Sequence, residues 1–144
     1  HATIAMLNEH VLPKDKTIDE RSRFVVEEIE RLHTGCADLQ KGDIAALGQK
    51  MFATHDGLSK MYEVSCKELD WLADFVKDNS NVMGARMMGG GFGGCLLVLL
   101  KKDCQHSVIQ ALTHEYLAKF GIEAKAYPIN ISQGIQHLTW HEQV

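Results

Sequence analysis

The chain has 144 residues, 45% hydrophobic and 24% charged, with 15 basic against 19 acidic side chains for a formal net charge of −4. This is the composition of one soluble globular domain with enough chain to bury a core. The acidic balance argues against a general nucleic-acid or anionic-membrane surface, and no apolar run approaches the roughly 18–20 residues of a membrane span.

Cys36, Cys66, Cys95 and Cys104 are widely spaced and form no Cys-x-x-Cys pair. Neither a zinc ribbon nor a thioredoxin-type site is supported. Four reduced thiols in a cytoplasmic protein is the favoured reading. The chain opens on His1, with no initiator methionine and no signal peptide, which fits a processed, excised or engineered chain.

In chain order, residues 1–16 read as a loosely ordered N-terminal segment. Thr17-Ile18-Asp19-Glu20 has the Thr-x-x-Glu form of a capping box and predicts a helix start. Val25, Ile29, Leu32, Cys36 and Leu39 recur at spacings of three and four, so they are predicted to form its apolar stripe. Gly42-Asp43 breaks the chain and recaps it. A second stripe follows at Ile44, Leu47, Met51, Leu58 and Met61. Leu69, Leu72, Ala73 and Val76 predict a third helix after Ser65, with Ser65 or Asp70 as a cap.

The second half changes character. Val82 to Met88 reads as extended, and Cys95 to Leu100 as a buried strand, being short, wholly apolar and flanked by glycines and by Lys101-Lys102. Asp103 is predicted to cap a helix with the face Ile109, Leu112, Tyr116 and Phe120, ended by Gly121 with Lys119 in the last turn. Ile122 to Ile131 alternates and carries Pro128, as an edge strand would. Helices followed by strand, glycine loop, strand, helix and strand make an α+β pattern.

Between the first two strands, five of the six residues Gly89, Gly90, Gly91, Phe92, Gly93 and Gly94 are glycine. Glycine costs about 0.5–1 kcal/mol relative to alanine inside a regular element, so the run needs a reason. A P-loop is excluded because Cys95-Leu96 stands where Lys-Ser/Thr is required. A dinucleotide fingerprint is excluded because a strand, not a helix, follows. A protein-kinase glycine loop sits between strands, but no His-Arg-Asp or Asp-Phe-Gly follows. Two readings stay open on the residues alone: a tight packing of backbone on backbone, or bare N–H groups presented to a ligand or a second loop.

The string Gly84-Ala85-Arg86-Met87-Met88-Gly89-Gly90-Gly91-Phe92-Gly93-Gly94-Cys95 resembles the third signature motif of the GHMP sugar kinases, closest to its galactokinase form. That form commonly carries threonine where this chain has Met88. His55-Asp56-Gly57-Leu58, then Tyr62-Glu63-Val64-Ser65-Cys66-Lys67-Glu68-Leu69-Asp70, resembles a galactokinase helix segment. Arg21 to Arg31 with Leu39-x-x-Gly42-Asp43 is a fainter echo. The resemblance spans roughly residues 17–134. It does not include the family's Gly-Glu-His sugar motif or its Gly-Leu-Ser-Ser-Ser-Ala phosphate loop.

What the resemblance implies is a ferredoxin-like α+β domain over residues 1–144, the C-terminal domain of a GHMP kinase. Its N-terminal ATP- and sugar-binding domain would be absent, together with one upstream strand, the catalytic aspartate and its partner arginine. The implied reaction is transfer of the γ-phosphate of MgATP to the anomeric hydroxyl of galactose. The implied cofactors, ATP and magnesium, belong to the full-length enzyme, and the isolated chain is expected to bind neither tightly and to be inactive. Gly89 to Gly94 would brace the phosphate loop of the partner half.

Arg86, Met88 and His55 are candidates for the substrate cleft. Against each stands a plainer role: a strand-edge ion pair for Arg86 and a satisfied core histidine for His55. Tyr62, Glu63 and Ser65 read first as a helix end, and Cys95 as an inert small hydrophobe. Glu27, Glu28 and Glu30 form a solvated face. His137 and His141 have i, i+4 spacing but no third ligand, so no metal is expected. The competing readings are a stand-alone interaction module, self-associating through an open sheet edge, and another GHMP member such as a mevalonate or homoserine kinase.

Overall fold

A computed structural model describes residues 2–131. The described residues form α1 (Ile4–His10), α2 (Lys16–Lys41), α3 (Ile44–Lys60), α4 (Lys67–Lys77), β1 (Val82–Met88), β2 (Cys95–Leu100) and α5 (Gln105–Phe120). The predicted α+β class and the small antiparallel sheet are both present. The segment read as loose holds α1, capped by the Thr3 side chain on the Met6 N–H. Asn8 ties α1 to α2 by accepting from Arg23 at 2.7 Å.

The ends of α2 follow local chemistry. Asp15, two residues before the predicted Thr17, caps it by accepting from the Ile18 N–H at 3.0 Å. Gly42 ends it in the left-handed conformation, and Asp43 starts α3 by accepting from the Ala46 N–H. Gly121 likewise ends α5, but Asp103 does not cap it; the N-cap is Cys104.

The predicted stripes are displaced. Val25, Ile29, Leu32, Cys36 and Leu39 lie on the exposed side of α2, with Leu32 67% exposed. The buried residues of α2 are Asp19, Phe24 and Gly35. In α3 the buried face is Gly48, Phe52, Thr54, His55 and Gly57. Here close approach of backbone, rather than bulk, decides which side faces inward: Gly57 abuts the Phe24 ring, and Gly48 abuts the backbone of Met83 and Gly84.

β1 and β2 pair antiparallel from Met88↔Cys95 to Gly84↔Leu99, with a register shift between Val82 and Gly84. Val82, Ala85, Phe52, Val76 and Val108 make the core cluster, with Leu96, Val98 and Leu100 of β2 packed against it. Trp71 stacks on Phe75 at 5.0 Å and meets the Phe120 ring edge-on at 5.7 Å, joining α4 to α5.

The two sheet edges differ. α3 lies along the outer edge of β1, where His55 accepts the Met87 N–H. The outer edge of β2 has no strand beside it among the described residues. The predicted strand Ile122 to Ile131 is not a strand. A strand persists only through a paired neighbour; this segment has none among the described residues, and Ile131 is fully exposed.

Candidate functional site

The glycine run is a turn of unusual backbone between β1 and β2. Gly89, Gly91, Gly93 and Gly94 have φ of 88°, 87°, 134° and 95°, a region that side-chain-bearing residues rarely adopt. Phe92 adopts φ 58° and is 76% exposed. Left-handed backbone costs a non-glycine residue about 1–2 kcal/mol, and exposure of the ring recovers nothing by burial. The Phe92 N–H donates to the Val64 carbonyl at 2.6 Å, which holds the turn.

The loop has a packed side and an open side. A Cβ on Gly91 would meet the Val64 carbonyl and, at 2.9 Å, the Met87 side chain. A Cβ on Gly89, Gly90 or Gly93 would meet nothing within 4 Å. Packing among the described residues therefore explains Gly91, backbone conformation explains Gly89 and Gly93, and neither explains Gly90. The packing reading left open by the sequence holds at Gly91.

Beneath the loop lies a cavity of about 180 Å³ lined by Cys66, Glu68, Leu69, Phe92 and Tyr116, among others. Burial, then the charges of Glu68 and Cys66, push the Tyr116 phenol above its ordinary value.

His55 is a core residue, 4% exposed, with Nδ1 accepting the Met87 N–H at 3.1 Å. Met88 ends β1 beside the loop and is half exposed. Arg86 lines a groove of about 150 Å³ between α2 and α3 with Lys50, Met51 and Thr54. Its Nε donates to the Met87 carbonyl at 3.1 Å, and no ion pair to it exists among the described residues.

Neither Ser65 nor Asp70 caps α4; the N-cap is Cys66, with no side-chain cap bond. Asp70 instead accepts from Ser59 at 3.0 Å. Tyr62 packs on Phe24 at 5.5 Å, and Glu63 pairs with Arg21 at 2.9 Å. Cys95, read as buried, is exposed. His137 and His141 lie outside the described residues. Among the described residues no group of three His, Cys, Asp or Glu is placed to hold a metal ion, and no helix is long and apolar enough to cross a membrane.

Sequence reasoning missed Val64 and Leu58, whose carbonyls carry the loop's support: the Val64 N–H donates to Leu58 at 3.0 Å. A main-chain acceptor leaves no mark in the side-chain pattern, so no sequence signal points to it.

A small sheet flanked by helices, with a bare glycine turn open on one side, defines the C-terminal domain of a GHMP kinase. The chain belongs to that family: residues 37–119 match the GHMP kinases C-terminal family model. Its relatives include the galactokinases. That of Thermotoga maritima is 38% identical over 122 residues, covering 85% of this chain and 35% of the relative. That of Thermosipho africanus is 37% identical over 119 residues, covering 83% and 34%. Lactococcus lactis galactokinase, solved in complex with galactose, superposes with a TM-score of 0.78 at 30% identity over 85% of this chain and 32% of that one. The chain thus spans about a third of the length of these relatives.

Proposed function

We propose that this chain is the C-terminal domain of a galactokinase, an enzyme that transfers the γ-phosphate of ATP to the C1 hydroxyl of galactose. The single observation that carries the reading is the open side of the glycine loop. Gly89, Gly90 and Gly93 leave space that none of the described residues occupies, which suits a second lobe, or the polyphosphate it holds, closing onto bare amides. The curated relatives support the choice of galactokinase over other GHMP kinases.

ATP supplies the phosphoryl group, and magnesium offsets its charge, when both are bound. The loop's bare amides fit an anionic group. Magnesium is usually held by substrate phosphates, waters and one or two carboxylates, so the ion is assigned with the nucleotide and the other lobe. The sugar-binding and catalytic side chains are likewise assigned to the other lobe. The work of this chain is positioning: a shaped wall that excludes water and braces the phosphate loop. Alone, it is inactive. Free thiols at Cys36, Cys66, Cys95 and Cys104 fit a cytoplasmic setting.

A second role is favoured by a separate observation. β2 is uncharged and, among the described residues, unpaired on one side, and such an edge pairs with another strand when one is available. In the whole enzyme that partner is a strand of the absent part; in the isolated chain it is a second copy.

The test of the main reading is ADP release from ATP and galactose. The pure chain is expected to give none, whereas a chimera carrying it in place of the matching third of Thermotoga maritima galactokinase is expected to turn over. Galactose-dependent ADP from the pure chain, or a folded but silent chimera, contradicts the proposal.

A further inference from the structure

Four positive-φ glycines in six residues make a segment with little conformational preference of its own. A site that relies on aimed backbone amides needs them held before the ligand arrives. The restraint therefore has to come from outside the loop, and both of its ends lead to one place.

At the entry, the Met87 N–H donates to His55 Nδ1 at 3.1 Å, two residues before Gly89. At the exit, the Phe92 N–H donates to the Val64 carbonyl at 2.6 Å, and the Val64 N–H donates to the Leu58 carbonyl at 3.0 Å. His55 and Leu58 are three residues apart on α3, within a single turn.

In His55, an Nδ1 that accepts carries no proton, so the proton is on Nε2. Nε2 is buried and lies 3.3 Å from Asp70 Oδ1, close but outside hydrogen-bond geometry, so neither atom has a hydrogen-bond partner among the described residues. The second oxygen of Asp70 accepts from Ser59 at 3.0 Å. Ser59 on α3 and Asp70 on α4 are thus tied to each other beside the ring, whose one hydrogen bond is to the strand end.

We infer that the His55–Leu58 turn of α3 is a clamp that sets the width of the glycine loop, with His55 a positioning residue acting through Met87. Its importance for turnover rests on the galactokinase reading, but the clamp itself is a property of this chain. His55 touches neither substrate nor reacting atoms. It supplies an acceptor to a strand-edge amide that would otherwise be unpaired at the point where the loop departs.

The experiment is backbone amide exchange by NMR on the whole chain, unmodified and as two variants. Asparagine places an oxygen near the position of Nδ1, and glutamine places one near the position of Nε2. His55→Gln is expected to speed exchange at Met87 and through Met88–Gly94 by about five- to tenfold, as loss of one ordinary hydrogen bond would. His55→Asn is expected to restore most of the protection. The β2 amides that pair with β1 are expected to hold in both.

Equal acceleration of the loop and β2 in both variants would mean general destabilisation and overturn the inference, as would an unchanged loop in His55→Gln. If neither variant folds, the nitrogen shifts of the unmodified imidazole decide: a proton on Nε2 supports the clamp, and a proton on Nδ1 overturns it. None of these readouts involves catalysis, so the clamp and the galactokinase reading can fail separately.

Discussion

Gly48 of α3 and Gly84 of β1 meet through bare backbone: a Cβ on Gly84 would stand 2.5 Å from the Gly48 Cα and 2.6 Å from its carbonyl oxygen. This contact seats α3 along the strand edge, which brings His55 level with Met87. Two opposing terms decide what Gly48→Ala does. Alanine gains about 1 kcal/mol of helix propensity. Overpacking against a backbone that cannot swing away costs about 1–3 kcal/mol or more. Destabilisation is expected to win, by about 2 kcal/mol at the upper end of that range, read as a lowered urea midpoint with an unchanged slope.

The loop glycines are expected to divide by the side they face. Gly91→Ala forces a side chain into φ 87° and against the Val64 carbonyl, at a cost of about 1–2 kcal/mol for the backbone alone. Gly90 has no positive φ, and a Cβ there meets nothing within 4 Å. Gly90→Ala is expected to leave the stability of this chain within about 0.5 kcal/mol. Thermal unfolding of the two variants side by side checks the contrast.

β2 has an edge with no strand beside it among the described residues, and such an edge is a template for pairing with a second copy. Leu97 faces Arg86 across the sheet, so Leu97→Glu puts a charge on the edge strand while giving Arg86 an opposite partner. Sedimentation velocity over a concentration series is expected to show association for the unmodified chain and a monomer for Leu97→Glu. Monomers at every concentration in both would remove the case for edge pairing.

Tyr116 gives a pH dependence of known sign. Burial raises the phenol above its usual value near 10, with Glu68 and Cys66 adding to the effect. A group whose folded value lies above its unfolded value stabilises the fold below the unfolded value, and that contribution is lost as pH rises through the folded one. Unfolding midpoints are therefore expected to hold from neutral pH to about 10 and to fall above it, with Tyr116 phenolate absorbance rising only above the usual phenol range.

Much of the layout was legible because local chemistry decides it. Gly42-Asp43 stops one helix and caps the next, Gly121 ends α5, and the apolar run Cys95–Leu100 is a strand. The faces of α2 and α3 were not legible. Periodicity scores bulk, whereas α3 turns inward on Gly48 and Gly57, where absence of a side chain makes the contact. The exposed stripe of α2 reads as core because, by its residues, it is apolar. Ile122–Ile131 has strand residues but no neighbour to pair with among the described residues.

The site was partly legible in the same sense. The glycine run marks itself, and the resemblance to the galactokinase motif led to the family that the relatives confirm. The supports are silent. Leu58 and Val64 act through carbonyls, and His55 through an acceptor atom facing a backbone amide. Nothing in residue type distinguishes that role from an ordinary core histidine.

The bare outer side of the loop is best tested by Gly90→Ala in the chimera with Thermotoga maritima galactokinase, read as galactose-dependent ADP release. If a second lobe closes onto that side, one added methyl group is expected to cut the rate on the order of 10- to 100-fold, the scale on which small misplacements act, with the fold of this chain unchanged. A Gly90→Ala chimera that turns over at the unmodified rate contradicts closure onto the loop.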